Sequence, residues 1–165
     1  MTQKRIAILI GMAAGLLWTG VIVIIFAWFT EYRFRDLHAF TGFGLAMAGP
    51  ALILSLLIGR LASRRFFDPD LIDGEPYVIG SAAEIDQRVL TNTVEQTVLA
   101  ACIWAFALTC FGPELIVAFG IGFFAARLVF WIGYHMSPPL RAFGFAATFY
   151  PTVLLGLGTV VELII

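Results

Sequence analysis

The chain has 165 residues, of which 61% are hydrophobic and 13% charged, with a mean hydropathy of +0.95; soluble domains are about half apolar and about a quarter charged, so a soluble globular protein is excluded. Its 10 Lys and Arg against 11 Asp and Glu leave a formal charge of -1. That balance lacks the basic surplus needed to bind a nucleic-acid backbone, and no nucleic-acid partner is expected.

Charge-free stretches set the architecture. Residues 6–30 carry no charge, 37–59 only His38, and 142–161 none. About 20 apolar residues rising 1.5 Å each cross a hydrocarbon core of about 30 Å. Stretches 89–111 and 115–134 qualify apart from Glu95 and Arg127. The pattern predicts an all-α integral membrane protein with five spans, roughly 6–29, 39–60, 87–111, 115–135 and 141–164.

The first span follows Lys4 and Arg5 but is about twice as long as a signal-peptide core and has no A-x-A site after it, so it reads as a retained anchor. Trp28 and Tyr32 suit an interfacial aromatic belt at its outer end. Gly11 and Gly15 form a small-xxx-small pair, a pattern frequent by accident in Gly-rich spans. Pro50 and Pro151 fall inside the second and fifth spans, where bends are tolerated.

The long segment 61–86 carries six acids. Asp68, Asp70, Asp73 and Glu75 fail the EF-hand pattern, with Ile72 and Asp73 at its fifth and sixth positions, and read as a solvated loop. The third and fourth spans are separated only by Gly112, Pro113 and Glu114 and form an antiparallel hairpin. Cys102 and Cys110 are about 12 Å apart along one helix, too far for a disulfide, and read as buried packing residues. Gly120-Ile-Gly122-Phe-Phe-Ala125 has the form of a dinucleotide fingerprint but follows no strand, and close helix packing explains it better. His38 and His135 have no second ligand at metal spacing, and no metal site is expected.

Orientation follows the basic residues: with the N-terminus in the cytoplasm, Lys4, Arg5, Arg60, Arg64, Arg65, Arg88, Arg127 and Arg141 lie inside or toward the inner face, against Arg33 and Arg35 outside. The expected location is a bacterial inner membrane, multi-pass, with a cytoplasmic N-terminus and a cytoplasmic long loop.

Polar residues inside the spans point to function. Arg88, Asn92, Glu95 and Gln96 fall at i, i+4, i+7 and i+8, along one face. A charge near a helix centre costs about 2.5–3.5 kcal/mol on insertion scales, so this face avoids lipid. Arg127 on the next span supplies a cation, followed by Phe130 and Tyr134, and Arg141 opens the last span. A buried Glu95–Arg127 pair that sets helix register accounts for two of these charges. Three arginines, Asn92, Glu95 and Tyr134 at one depth offer more donors than one carboxylate can use, which points to an anionic ligand or to lipid phosphates.

Arg88-Val-Leu-Thr-Asn92-Thr-Val-Glu95 resembles the R-x-x-x-N-x-x-E signature of the membrane-associated proteins in eicosanoid and glutathione metabolism (MAPEG), which include microsomal glutathione transferases. Ala126-Arg127-Leu-Val-Phe130-Trp-Ile-Gly133-Tyr134 is similar to the family's A-R-x-x-Y-x-x-G-Y segment. Arg141 stands seven residues after Tyr134, where the family's synthases carry a thiol-activating arginine, and Ala62-Ser63-Arg64-Arg65 resembles the basic end of the family's first helix. Phe130 and Gln96 stand where tyrosines are usual, and Leu90 where the synthases have a glutathione-contacting Gln.

The resemblance divides the chain into residues 1–38, an additional N-terminal anchor helix and outer loop, and 39–165, a MAPEG-like four-helix membrane domain. It implies a homotrimer binding glutathione as co-substrate between subunits near the cytoplasmic face. It further implies transfer or peroxidase chemistry on a lipophilic substrate that enters from the bilayer. Arg64, Arg88, Asn92, Glu95, Arg127 and Tyr134 would bind glutathione, and Arg141 would be catalytic, stabilising the thiolate. The alternative is a non-catalytic lipid-binding or scaffold membrane protein using the same pocket.

Overall fold

A computed structural model of the chain describes residues 3–32 and 37–165. Arg33 and Arg35, and the side chains of Lys4 and Tyr32, lie outside the described residues. Five α-helices follow one another: α1 Gln3–Tyr32, α2 Ala39–Phe67, α3 Ala82–Ala107, α4 Pro113–Met136 and α5 Pro138–Ile164. All five are long and apolar enough to cross a membrane, making this a multi-pass integral membrane protein.

The central helix is α4, which touches each of the other four, while α1 packs on α5 and α4. The core lies where α2, α3 and α4 meet: Ile53, Leu57, Val89, Trp104, Ile116, Phe119 and Phe123 are buried. The Trp104 indole stands edge-on to Phe119 and Phe123, with centroids 6.4 and 5.9 Å away. Leu17, Ile24, Leu52, Val98 and Leu157 point outward, an apolar exterior that water would not tolerate and lipid does.

Small residues set the closest helix contacts. Gly49 on α2 and Gly120 on α4 leave no room for a methyl group, since a β-carbon at 120 would meet Ala46 Cα at 2.6 Å. The fingerprint-like glycine run is therefore a helix seam. Gly15 of α1 lies against α5, where a β-carbon would meet the Ala147 nitrogen at 2.8 Å. The Gly11/Gly15 pattern, frequent by accident in other spans, is here the contact that seats α1.

The largest departures from the sequence expectation fall at three boundaries. Helix α2 runs through Arg60, Arg64 and Arg65 to Phe67, because basic residues at a membrane edge extend their charges toward water without breaking the helix. Helix α3 begins at Ala82: Ser81 Oγ accepts from the Glu84 amide at 3.2 Å, and the Glu84 carboxylate accepts from Gly80 N–H at 3.2 Å. The loop thus shrinks to residues 68–81. At its other end α3 stops at Ala107, and 3₁₀-type bonds from Thr109 and Cys110 to Phe106 and Ala107 lead to Pro113, the first residue of α4. Both cysteines are free and exposed, so the expectation that they pack inside does not hold.

Only Ser137 separates α4 from α5, and Pro138 opens α5 where its missing N–H costs nothing. With alternating helix directions, the C-terminal ends of α2 and α4 and the N-terminal ends of α1, α3 and α5 share one end of the bundle. The polar residues gather there.

Candidate functional site

Successive turns of α3 present Arg88, Asn92 and Glu95 on one side. Together with Glu84, Gln87, Thr91 and Tyr134 of α4 they line an open groove of about 300 Å³. Arg88 donates through Nε to the Glu84 carboxylate one turn earlier. Asn92 Nδ2 donates to Glu95 Oε2 at 3.2 Å. The groove therefore offers a guanidinium whose terminal N–H groups make no bond among the described residues, an amide, a phenol and a carboxylate, a set able to hold a molecule bearing both carboxylate and ammonium groups.

Behind this wall stands Arg127, 0% exposed. Its Nη2 donates to Asn92 Oδ1 and Thr93 Oγ1, both at 2.9 Å, its Nε to Thr93 Oγ1 at 3.2 Å, and its Nη1 to Thr148 Oγ1 at 3.4 Å. The Phe130 ring caps the guanidinium, 3.9 Å from Cζ to centroid. Among the described residues no carboxylate lies within ion-pairing distance of Arg127. A direct pair with Glu95 is replaced by a relay through Asn92, and among the described residues every hydrogen bond from the cation goes to a neutral group.

Arg141 lies at the start of α5 with Cζ 4.8 Å from the Tyr134 ring centroid. Tyr134 meets Phe130 edge-on at 5.0 Å. Two glycines bring α5 this close to α4. A β-carbon at Gly133 would lie 2.8 Å from Arg141 Cα, and one at Gly144 would lie 2.6 Å from Phe130 Cβ. Arg141, Tyr134, Phe130 and Arg127 thus form a stack, two rings edge-to-face between two cations, leading from the rim inward.

Of the seven residues singled out from the sequence, Arg88, Asn92, Glu95 and Tyr134 line the groove, Arg127 backs it, and Arg141 flanks it across Tyr134. Arg64 is elsewhere. Its Nη2 lies 3.3 Å from Asp86 Oδ2. Phe130 spends its ring on Arg127, Gln96 is buried, and Leu90 packs against the core.

Asp86 anchors a second cluster that sequence reasoning missed. It is 0% exposed. Its Oδ2 accepts from Arg60 Nε at 2.7 Å and is ion-paired with Arg64, and its Oδ1 accepts from Trp131 Nε1 at 2.7 Å and lies 2.8 Å from His135 Nε2. A signal existed: Arg60 and Arg64, and Trp131 and His135, are i, i+4 pairs, each on one helix face.

The sequence profile of the MAPEG family matches residues 40–161, which span α2 to α5 and leave α1 outside. Comparison with curated proteins and with solved structures finds no match in either.

Proposed function

Because the chain belongs to the MAPEG family, we propose that it is a glutathione-dependent membrane transferase or peroxidase acting on a lipophilic substrate. The observation that carries this reading is a groove of Arg88, Asn92, Glu95 and Tyr134 backed by an arginine that has no carboxylate partner among the described residues. Glutathione has two carboxylates and one ammonium. Arg88 would take a carboxylate, Glu95 the ammonium, and Asn92 the backbone, with the field of Arg127 behind them favouring net negative charge.

The reacting sulfur would lie toward Tyr134 and Arg141. A free thiol has a pKa of about 8.5, so little is ionised at neutral pH, and a guanidinium beside it favours the thiolate. Arg141 does not serve as a base at neutral pH. The thiol proton leaves to water, and Arg141 stabilises the thiolate. The sulfur then bonds either to an electrophilic carbon, whose leaving group departs with the electron pair, or to a peroxide oxygen as the O–O bond breaks. In the second case the released alkoxide takes a proton from water, and a second glutathione displaces water from the sulfenic acid to give the disulfide. Tyr134 would donate a further hydrogen bond.

The groove opens to the outside of a single chain, and Arg64 is tied to Asp86 on a different face. Arg64 would reach glutathione only as a contribution from a neighbouring copy, which agrees with a homotrimer holding the ligand between subunits. The polar end of the bundle is then cytoplasmic, following the basic residues, in a bacterial inner membrane. Residues 1–38 form an added helix and loop beside the catalytic domain 39–165, and the substrate arrives sideways from the bilayer.

A non-catalytic lipid-binding or scaffold role is the second reading, favoured by Phe130, whose ring engages Arg127 where a tyrosine would offer a hydroxyl. Purified protein in detergent separates the two. Millimolar glutathione raises the melting temperature under both an enzyme and a glutathione-binding scaffold, but only the enzyme turns over an electrophilic chloronitrobenzene or a lipid hydroperoxide. A flat melting temperature together with no turnover would overturn the glutathione reading.

A further inference from the structure

On the far side of α4 from the Arg88 groove, the Asp86 cluster borders a second open space. Arg60, Trp131, Ile132, His135 and Met136 line a groove of about 320 Å³ between α2 and α4. Asp86 itself is sealed beneath it, with both oxygens engaged by three hydrogen-bonding partners and Oδ2 also ion-paired with Arg64. The groove is consequently edged by the donors alone.

Arg60 decides its chemistry. Its Nε is committed to Asp86, its side chain is 46% exposed, and its Cζ lies 5.6 Å from the Trp131 ring centroid. No bond from its terminal amino groups is formed among the described residues. Two arginines share one carboxylate here, so the cluster keeps surplus positive charge, held in place and facing out. The remaining lining is hydrocarbon and indole.

A fixed guanidinium above an apolar wall, at the end of membrane helices, matches the boundary between a lipid phosphate and its acyl chain. Net positive charge and the absence of any exposed carboxylate in the lining disfavour a choline or ethanolamine headgroup. We infer that this groove binds an anionic phospholipid, its phosphate on Arg60 and its acyl chain along Trp131, Ile132 and Met136. Asp86 presets the geometry by holding Arg60, Trp131 and His135 before the lipid arrives.

The test uses full-length protein in detergent without glutathione, so its outcome is separate from the thiol reading. Phosphatidylglycerol, phosphatidylcholine and inorganic phosphate are titrated in turn, following the melting temperature and, for the lipids, retention in native mass spectrometry. Phosphatidylglycerol raises the melting temperature and stays bound, whereas phosphatidylcholine and phosphate at the same concentration do neither. Arg60→Gln weakens phosphatidylglycerol about tenfold, the loss of one charge-assisted contact, while Arg88→Gln in the other groove leaves it unchanged. Ile132→Trp fills the groove without touching Asp86, and it also releases the lipid; this variant decides the matter if Arg60→Gln folds poorly. Equal binding of the two lipids, full retention in Ile132→Trp, or phosphate matching phosphatidylglycerol would each overturn the proposal, the last by making it a free-anion site.

Discussion

Asn92 stands between Arg127 and Glu95, accepting from the buried guanidinium at 2.9 Å and donating to the carboxylate at 3.2 Å. The amide thereby links a cation held inside the protein to an anion at the groove, and it fixes which way its own oxygen and nitrogen point. Replacing Arg127 tests this. A lysine has one ammonium and cannot bond Asn92, Thr93 and Thr148 at once. Arg127→Lys is expected to lose about 1–3 kcal/mol of stability, the cost of leaving buried polar groups unpaired, measured as a lowered unfolding midpoint in detergent.

Arg141 is half-buried and its described contact is the Tyr134 ring. An exposed cation–ring contact is worth about 0.5–1 kcal/mol, so Arg141→Ala leaves the fold nearly as stable as before. Turnover with glutathione falls sharply at neutral pH. The deficit shrinks as pH rises through about 8.5, where the thiol ionises unaided. A pH–rate profile of both proteins checks this, and a pH-independent deficit would remove thiolate stabilisation from the role of Arg141.

Arg88 has a competitor for any incoming carboxylate in Glu84. Glu84→Gln retains an oxygen for the Gly80 amide at the α3 cap and releases the guanidinium. The half-saturating glutathione concentration is expected to fall about two- to fivefold, the worth of one exposed ion pair. Steady-state kinetics at varied glutathione would show it, and a rise would remove Arg88 from the binding site.

Two glycines of α1 separate packing from composition. Gly15 lies against the α5 backbone, whereas Gly20 has nothing within 4 Å of the position of a β-carbon. Gly15→Leu forces the helices apart and costs about 1–3 kcal/mol or more, while Gly20→Leu faces lipid and changes little. Side-by-side thermal unfolding in one detergent distinguishes them.

The spans were legible because lipid imposes a length and an apolarity that few segments meet by chance. The helix ends were less so. Arg64 and Arg65 look like a loop by charge, yet they continue α2; the Ser81–Glu84 box, by contrast, is visible in the sequence and marks the true start of α3. The candidate groove was legible in part, since Arg88, Asn92 and Glu95 share one helix face by spacing alone. That Arg127 turns to hydroxyls and Arg64 turns to Asp86 was not, because helical spacing tells which residues share a face but not which faces meet. Thr93 and Thr148 carried no signal at all: inside a membrane helix a threonine usually bonds its own backbone, as both do here at 2.7 and 2.9 Å, and only the approach of Arg127 gives their oxygens a second use.

The first turn of α5 is gripped from both sides. A β-carbon on Gly11 of α1 would sit 3.2 Å from the Phe143 nitrogen and closer still to the Pro139 carbonyl oxygen, while one on Gly133 of α4 would sit 2.7 Å from the Leu140 carbonyl carbon. The turn that launches Arg141 is held in a vice with glycine jaws, one of them on the helix that lies outside the matched family region. That helix is thus more than a tether to the bilayer: withdrawing it slackens the mount from which the guanidinium is aimed.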